Sequence, residues 1–178
     1  MNSLVEFLVR RGQKEHSVLV RTVATLLGAA LFVAGIPALV VWMGKVWMSQ
    51  PILSELAGRI LSGISFAFGL PWVLWAVAWQ LVKGKGTPVP VVPTKHFLQN
   101  GPYHFARNPM MLGFFLYLLG WAWWSNRLGS LFSAIGVVAL LCAEIKFIEE
   151  PELTKRFGDA YREYKKETPF ILPGIRFK

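Results

Sequence analysis

Apolar residues in this chain are bunched into runs long enough to cross a bilayer, and the charges lie between the runs. The first run covers residues 22–43 and carries Pro37, a kink position. The second covers 60–82, with Pro71 in its middle. A third and shorter run, 109–124, ends in Trp121, Trp123 and Trp124, and a fourth covers 128–148. Only a tight turn over 125–130 separates these two, so they read as a helical hairpin. Trp42 and Trp47 mark the far interface of the first run. Residues 152–167 place Leu153, Phe157, Ala160, Tyr161 and Tyr164 on one helical face. Lys155, Arg156, Arg162, Lys165 and Lys166 crowd the rest, as in a surface helix whose basic residues meet lipid headgroups. Residues 1–20 read either as a similar surface segment or as a plain lead-in.

The pattern predicts an all-α integral membrane protein with four transmembrane helices, or five helices when an interfacial one is counted. An amphipathic C-terminal helix lies on its cytoplasmic surface. The chain divides into 1–82, the N-terminal amphipathic segment with the first two spans, and 83–178, the long loop, hairpin, C-terminal helix and tail. Composition agrees: 54% of 178 residues are hydrophobic, with 8 Trp and 13 Phe, more than a soluble core of this size needs. The net charge of +9 sits at the N-terminus, in 83–107 and after 152, while the opposite turns hold only Lys45, Arg59 and Arg127. The positive-inside rule then puts both termini, the long loop and any site beside it on the cytoplasmic side, of the plasma or inner membrane if the source is bacterial. Basic residues that flank apolar runs do not form the stripe that nucleic acid requires. Cys142 is alone, and His16, His96 and His104 are scattered, so no disulfide or metal site is expected. The N-terminus lacks the short core and small-residue site of a cleavable signal. No obligate protein partner is evident.

The polar connection 83–108 carries Pro88, Pro90 and Pro93, which favour an extended, polyproline-like path. Its Lys83-Gly84-Lys85-Gly86-Thr87 lacks the closing Gly-Lys-Ser/Thr of a phosphate loop. The connection ends in Gly101-Pro102-Tyr103-His104-Phe105-Ala106-Arg107-Asn108, and a helix is predicted to start at Pro109, with Asn108 as its N-cap. Arg107 beside that helix start is an anion-binding arrangement, or equally an ordinary headgroup anchor. The topology brings Glu149 and Glu150 to the same rim. Two acids at a helix C-terminus oppose its dipole, and near a bilayer they call for a cation. Glu150 can pair with Arg107, or Pro151 can begin a new helix that Glu150 and Glu152 favour. A ligand that carries both an anion and a cation would also satisfy the set.

The chain resembles the integral-membrane methyltransferases that include isoprenylcysteine carboxyl methyltransferase and phosphatidylethanolamine N-methyltransferase. That family shows Gly-x-Tyr-x-x-x-Arg-His-Pro-x-Tyr-x-Gly before a helical hairpin, then Glu-Glu, Leu, Phe-Gly, Tyr and a Pro-containing tail. Here Gly101, Tyr103, Arg107, Pro109 and Gly113 stand at that spacing, followed by Glu149, Glu150, Leu153, Phe157, Gly158, Tyr161 and Pro169. Gly86-Thr87-Pro88-x-Pro90 is similar to bacterial members. Asn108 replaces the His and Met111 the Tyr; Asn keeps a donor and an acceptor, while Met keeps only apolar contact.

The resemblance implies that 83–178 is a cofactor-binding catalytic region for S-adenosylmethionine, which leaves as S-adenosylhomocysteine. The methyl acceptor would be a lipid or lipophilic small molecule, of the isoprenylcysteine carboxylate or phospholipid amine type. Gly101, Pro102, Tyr103, Arg107, Asn108, Pro109, Met111, Gly113, Glu149 and Glu150 would bind the cofactor, with Arg107 and Glu150 also orienting the acceptor. Two other readings stand beside it: a membrane reductase similar to the sterol reductases, and a non-enzymatic protein that holds membrane lipids.

Overall fold

The computed structural model of the chain describes residues 18–84 and 96–173. The N-terminal segment, the three prolines of the long connection and the end of the tail lie outside the described residues. The described residues are helical apart from turns and an isolated bridge between Pro51 and Arg127. The elements are α1 (Val18–Ala29), α2 (Ile36–Val46), α3 (Glu55–Val82), α4 (Pro102–Phe105), α5 (Pro109–Ser125), α6 (Leu128–Glu144), α7 (Glu150–Phe157) and α8 (Asp159–Glu167). Two π-helical turns, Ala30–Gly35 and Ile145–Glu149, join α1 to α2 and α6 to α7 without a break.

Both π turns end two residues ahead of a proline, Pro37 and Pro151. Proline has no N–H to give to the carbonyl four residues back, so a helix that continues through it must widen or find another donor. At Pro37 the orphaned acceptor is the Val33 carbonyl, and the Tyr117 hydroxyl from α5 donates to it at 2.8 Å. The irregularity expected at Pro37 thus takes the form of a π turn with a borrowed hydrogen bond. At Pro151 the outcome differs from the sequence expectation. The fourth helix does not end near 148; it runs on through the π turn and α7 to Phe157. The predicted single surface helix over 152–167 is instead two pieces, broken at Gly158, whose φ is +59°.

Three helical stretches are long and apolar enough to cross a membrane: Thr22–Val46, Glu55–Val82 and Leu128–Phe157, of 25, 28 and 30 residues. α3 begins ahead of its apolar run because Ser54 caps it, with Oγ accepting from Ala57 N at 3.4 Å. α5 has 17 residues. At about 1.5 Å per residue it is roughly 25 Å long, short of a hydrocarbon core of about 30 Å. It is nonetheless the centre of the bundle. α3 packs on one side of it and α2 and α6 on the other, and among the described elements α3 reaches neither α2 nor α6 directly. The buried core is Val40, Phe114, Tyr117, Leu118, Ala122 and Ala134. Large apolar side chains such as Leu27, Phe68, Leu74 and Leu140 are more than 60% exposed on the outside, the surface expected of helices that face lipid.

The α3–α5 seam is close because small residues line it. A Cβ on Gly113 would come within 2.5 Å of Val73 N, and one on Gly69 within 2.8 Å of Tyr117 N. Ser62 Oγ adds a hydrogen bond to the Gly120 carbonyl at 2.8 Å. At one end of the bundle the two short turns are sewn together by Asn126, which holds the left-handed backbone after α5 (φ 49°). Its Oδ1 accepts from Leu53 N at 3.1 Å and its Nδ2 donates to Leu53 O at 2.8 Å. The other end gathers 96–108, the start of α5 and everything from Glu149 to residue 173.

Candidate functional site

The site is built on the path from Gly101 to Pro109. Gly101 has φ +64°, and the indole of Trp79 lies 2.6 Å from where its Cβ would be. Only glycine meets both conditions. The one-turn α4 follows. Tyr103 donates through its hydroxyl to Gln80 Oε1 at 3.2 Å, and its carbonyl accepts from the Tyr164 hydroxyl at 2.5 Å. Phe105 packs edgewise against Trp72 and lies beside Trp75. These contacts fix the turn to α3 on one side and to α8 on the other.

Beyond α4 the backbone extends and pairs with the C-terminal tail. Arg107 N donates to Pro169 O at 2.8 Å and Asn108 N to Phe170 O at 3.1 Å. Asn108 occupies the N-cap position of α5, as expected, but its side chain makes no cap bond. Its Nδ2 donates instead to Phe170 O at 3.1 Å. Pro102 and Pro109 are fully buried. Met111 is half-buried and packs on the core cluster, and Gly113 lies at the helix crossing against Val73.

Arg107 turns its charge away from the start of α5. Its Nε and Nη2 lie 3.0 and 2.9 Å from Glu150 Oε1. Its Nη1 donates to the carbonyls of Lys165, at 3.0 Å, and Thr168, at 2.6 Å. Those carbonyls are at the C-terminal end of α8, where orphaned acceptors and the negative end of the helix dipole favour a cation. The Phe170 ring covers the guanidinium at 5.6 Å. Glu150 is 2% exposed, and its second oxygen receives Lys165 Nζ at 2.7 Å. A buried carboxylate is tolerable only when paired in this way.

Residues 57–160 match the phospholipid methyltransferase family. The chain belongs to that family. Among its relatives is the methanethiol S-methyltransferase of Mycobacterium tuberculosis, 37% identical over 74 residues, which is 40% of this chain and 28% of the relative. Methanethiol S-methyltransferase 2 of Bradyrhizobium diazoefficiens is 34% identical over 73 residues, 41% of this chain and 27% of the relative. The aligned part of this chain therefore spans little more than a quarter of either relative. No solved structure matches the chain.

This family member keeps the two motif stretches in direct contact: Arg107 from the first and Glu150 from the second form one ion pair. Glu149 is placed differently from its neighbour. It is half-buried and has no hydrogen bond or ion pair among the described residues. It stands close enough to Tyr103 that, after burial itself, the Glu149 charge is the next cause holding the Tyr103 phenol far above its ordinary range. Burial raises the phenols of Tyr161 and Tyr164 in the same way. Sequence reasoning did not single out Lys165, Phe97 or, apart from Pro169, the 168–170 strap. Phe97 stacks on Phe157 and meets Tyr161 and Tyr164 edge-on. Lys165 was grouped with the headgroup-facing cations. Its position four residues after Tyr161, on the same side of the helix, was the available sign that it faces inward. Arg156 also departs from that grouping, pairing with Glu152 at 2.9 Å in a buried contact.

Proposed function

We propose that this chain is an integral-membrane, S-adenosylmethionine-dependent methyltransferase acting on a lipophilic acceptor. The observation that carries the reading is the contact of Arg107 with Glu150 inside a family-matched bundle, with Glu149, an acid without a partner among the described residues, beside it. The paired up-and-down arrangement supports four crossings, α5 being the fourth, because the two short turns lie at one end and the site at the other. The cations of those turns are few, so the site end is assigned to the cytoplasm.

The residues fit the cofactor. Glu149 offers a free carboxylate to an ammonium or to ribose hydroxyls, in a half-buried place where such a contact is strong. Tyr103 and Met111 would line the pocket, and Gly101, Pro102, Asn108, Pro109 and Gly113 shape it by bringing backbone close. Arg107 and Glu150 hold the two motif stretches in register. Bound there, the cofactor supplies a methyl group on a sulfonium, which leaves as a neutral thioether. The chain's part is to position the acceptor and exclude water.

The acceptor we favour is a thiol or an amine. A carboxylate acceptor would need a free guanidinium, and Arg107 already gives its donors to Glu150 and to α8. A thiol or amine must shed a proton as its lone pair forms the new bond to carbon, and Glu149, where it meets the ribose hydroxyls rather than the ammonium, would receive it. The two relatives are named for methanethiol, which agrees with a thiol.

The test is calorimetric binding of S-adenosylhomocysteine to the purified protein in lipid nanodiscs, followed by labelled methyl transfer to a membrane extract and to long-chain thiol, amine and carboxylate acceptors. Binding that is lost in Glu149→Gln, with label in the thiol or amine, supports the reading. Binding of NADPH without binding of S-adenosyl compounds would replace it with the reductase, and binding of neither with a lipid-holding protein.

A further inference from the structure

We infer that Lys165 is a positioning residue for this site: it clasps α8 and the 168–170 strap onto Arg107 and so sets where the two acids stand. The functional consequence rests on the cofactor reading above; the clasp itself does not.

Lys165 bonds to both members of the buried pair. Its Nζ lies 2.7 Å from Glu150 Oε2, and its own carbonyl accepts from Arg107 Nη1 at 3.0 Å. One residue therefore ties the side chain of Glu150 and the C-terminal end of α8 to the same guanidinium. The strap continues the attachment through Thr168 O, Pro169 O and Phe170 O, which accept from Arg107 and Asn108. One residue earlier on α8, Tyr164 holds the Tyr103 carbonyl. Tyr103 in turn lies within electrostatic range of Glu149. So α8 sits against the turn that carries the proposed ligand contacts. The exposures locate the weak point: the Lys165 side chain is 46% exposed and Glu150 only 2%. Water reaches the Lys165 ammonium directly, but reaches Glu150 only if α8 shifts.

Without the Lys165 ammonium, Glu150 Oε2 is left buried and unpaired, a costly state. The nearest remedy is for Arg107 to turn its fork fully onto Glu150, and that releases the Lys165 and Thr168 carbonyls. Loss of one side chain thus loosens a strap that it does not belong to. Lys165 itself lies beyond residues 57–160, the span matched to the family.

The experiment compares the wild type with Lys165→Met, Lys165→Arg and Lys166→Met, full-length in nanodiscs. Lys166 is the neighbouring control, since among the described residues its Nζ pairs only with the exposed Glu163. Hydrogen exchange is read at the Arg107 and Asn108 amides, and S-adenosylhomocysteine binding by calorimetry. In Lys165→Met exchange is expected to quicken by about tenfold and affinity to fall by about tenfold, with cofactor KM raised more than kcat is lowered. Lys165→Arg keeps both near wild type, and so does Lys166→Met. Exchange in Lys165→Met within twofold of wild type overturns the clasp. Quickened exchange in a protein whose wild type binds no S-adenosyl compound upholds the clasp and removes the cofactor reading. Should Lys165→Met not fold, Lys165→Gln takes its place: it removes the ammonium that pairs with Glu150 but keeps a polar side chain, and exchange within twofold of wild type there refutes the clasp.

Discussion

Arg107 and Glu150 are 43 residues apart in the chain and 2.9–3.0 Å apart in the fold. Their side chains are 12% and 2% exposed, so both charges are largely cut off from water. Removing one partner strands the other. Glu150→Gln and Arg107→Met are each expected to cost about 3 kcal/mol, and the double variant less than the sum. Arg107→Lys keeps the charge but cannot reach Glu150 and the α8 carbonyls together, so it recovers only part of the loss. Denaturant titration of the wild type, Glu150→Gln, Arg107→Met and the double variant in one detergent measures the coupling; additive losses would show that the pair is not an energetic unit.

Tyr117 offers a second, independent measurement. Its hydroxyl replaces the N–H that Pro37 lacks, and so satisfies the Val33 carbonyl inside an apolar bundle. Tyr117→Phe should destabilise by about 1 kcal/mol, the usual worth of such a bond. In a Pro37→Ala background the restored N–H can serve Val33 in the ordinary helical way, and the penalty should shrink toward zero. An equal penalty in both backgrounds would mean that the hydroxyl bond is incidental to the proline.

Much of this architecture was legible in the chain. Apolar runs located α1 to α3 and α6, and the Asn108-Pro109 boundary located the start of α5 to the residue. Two signals misled. Pro151 reads locally as a helix start, yet the π turn over Ile145–Glu149 carries the helix past it, because widening one turn absorbs the missing donor. Basic residues on an amphipathic helix read as lipid contacts, but Lys165 and Arg156 are used inside the fold. Charge partners far away in sequence leave no periodic trace, so Arg107 at the C-terminal end of α8 emerges only in three dimensions.

Two glycines separate packing from helix propensity. Gly113 faces Val73 N at 2.5 Å from a would-be Cβ, whereas Gly136 on α6 has nothing within 4 Å among the described residues. Gly136→Ala should be neutral or stabilise by up to about 1 kcal/mol, the propensity gain alone. Gly113→Ala should destabilise by about 2 kcal/mol, since α3 must move off α5 to admit the methyl group. Thermal unfolding of both variants settles the comparison, and equal midpoints would show that the α3–α5 seam is not tight at Gly113.

Alkaline pH tests the enclosure of the site. The chain has four tyrosines, and Tyr103, Tyr161 and Tyr164 all carry raised phenol pKa values, with burial as the largest cause. Above pH 10 the unfolded chain gives up these protons while the folded chain keeps them, so the unfolded state binds fewer protons and stability falls as pH rises. Below pH 10 these groups contribute no slope. Tyr161 and Tyr164, both buried, should each steepen the decline by up to about 1.4 kcal/mol per pH unit. In a Tyr117→Phe variant only these three phenols remain. Its absorbance near 295 nm should then stay flat on raising the pH through 10 and rise in one step with loss of helical circular dichroism. Gradual titration of even one phenol near pH 10 in the folded protein would show that α8 does not seal the Tyr103 turn.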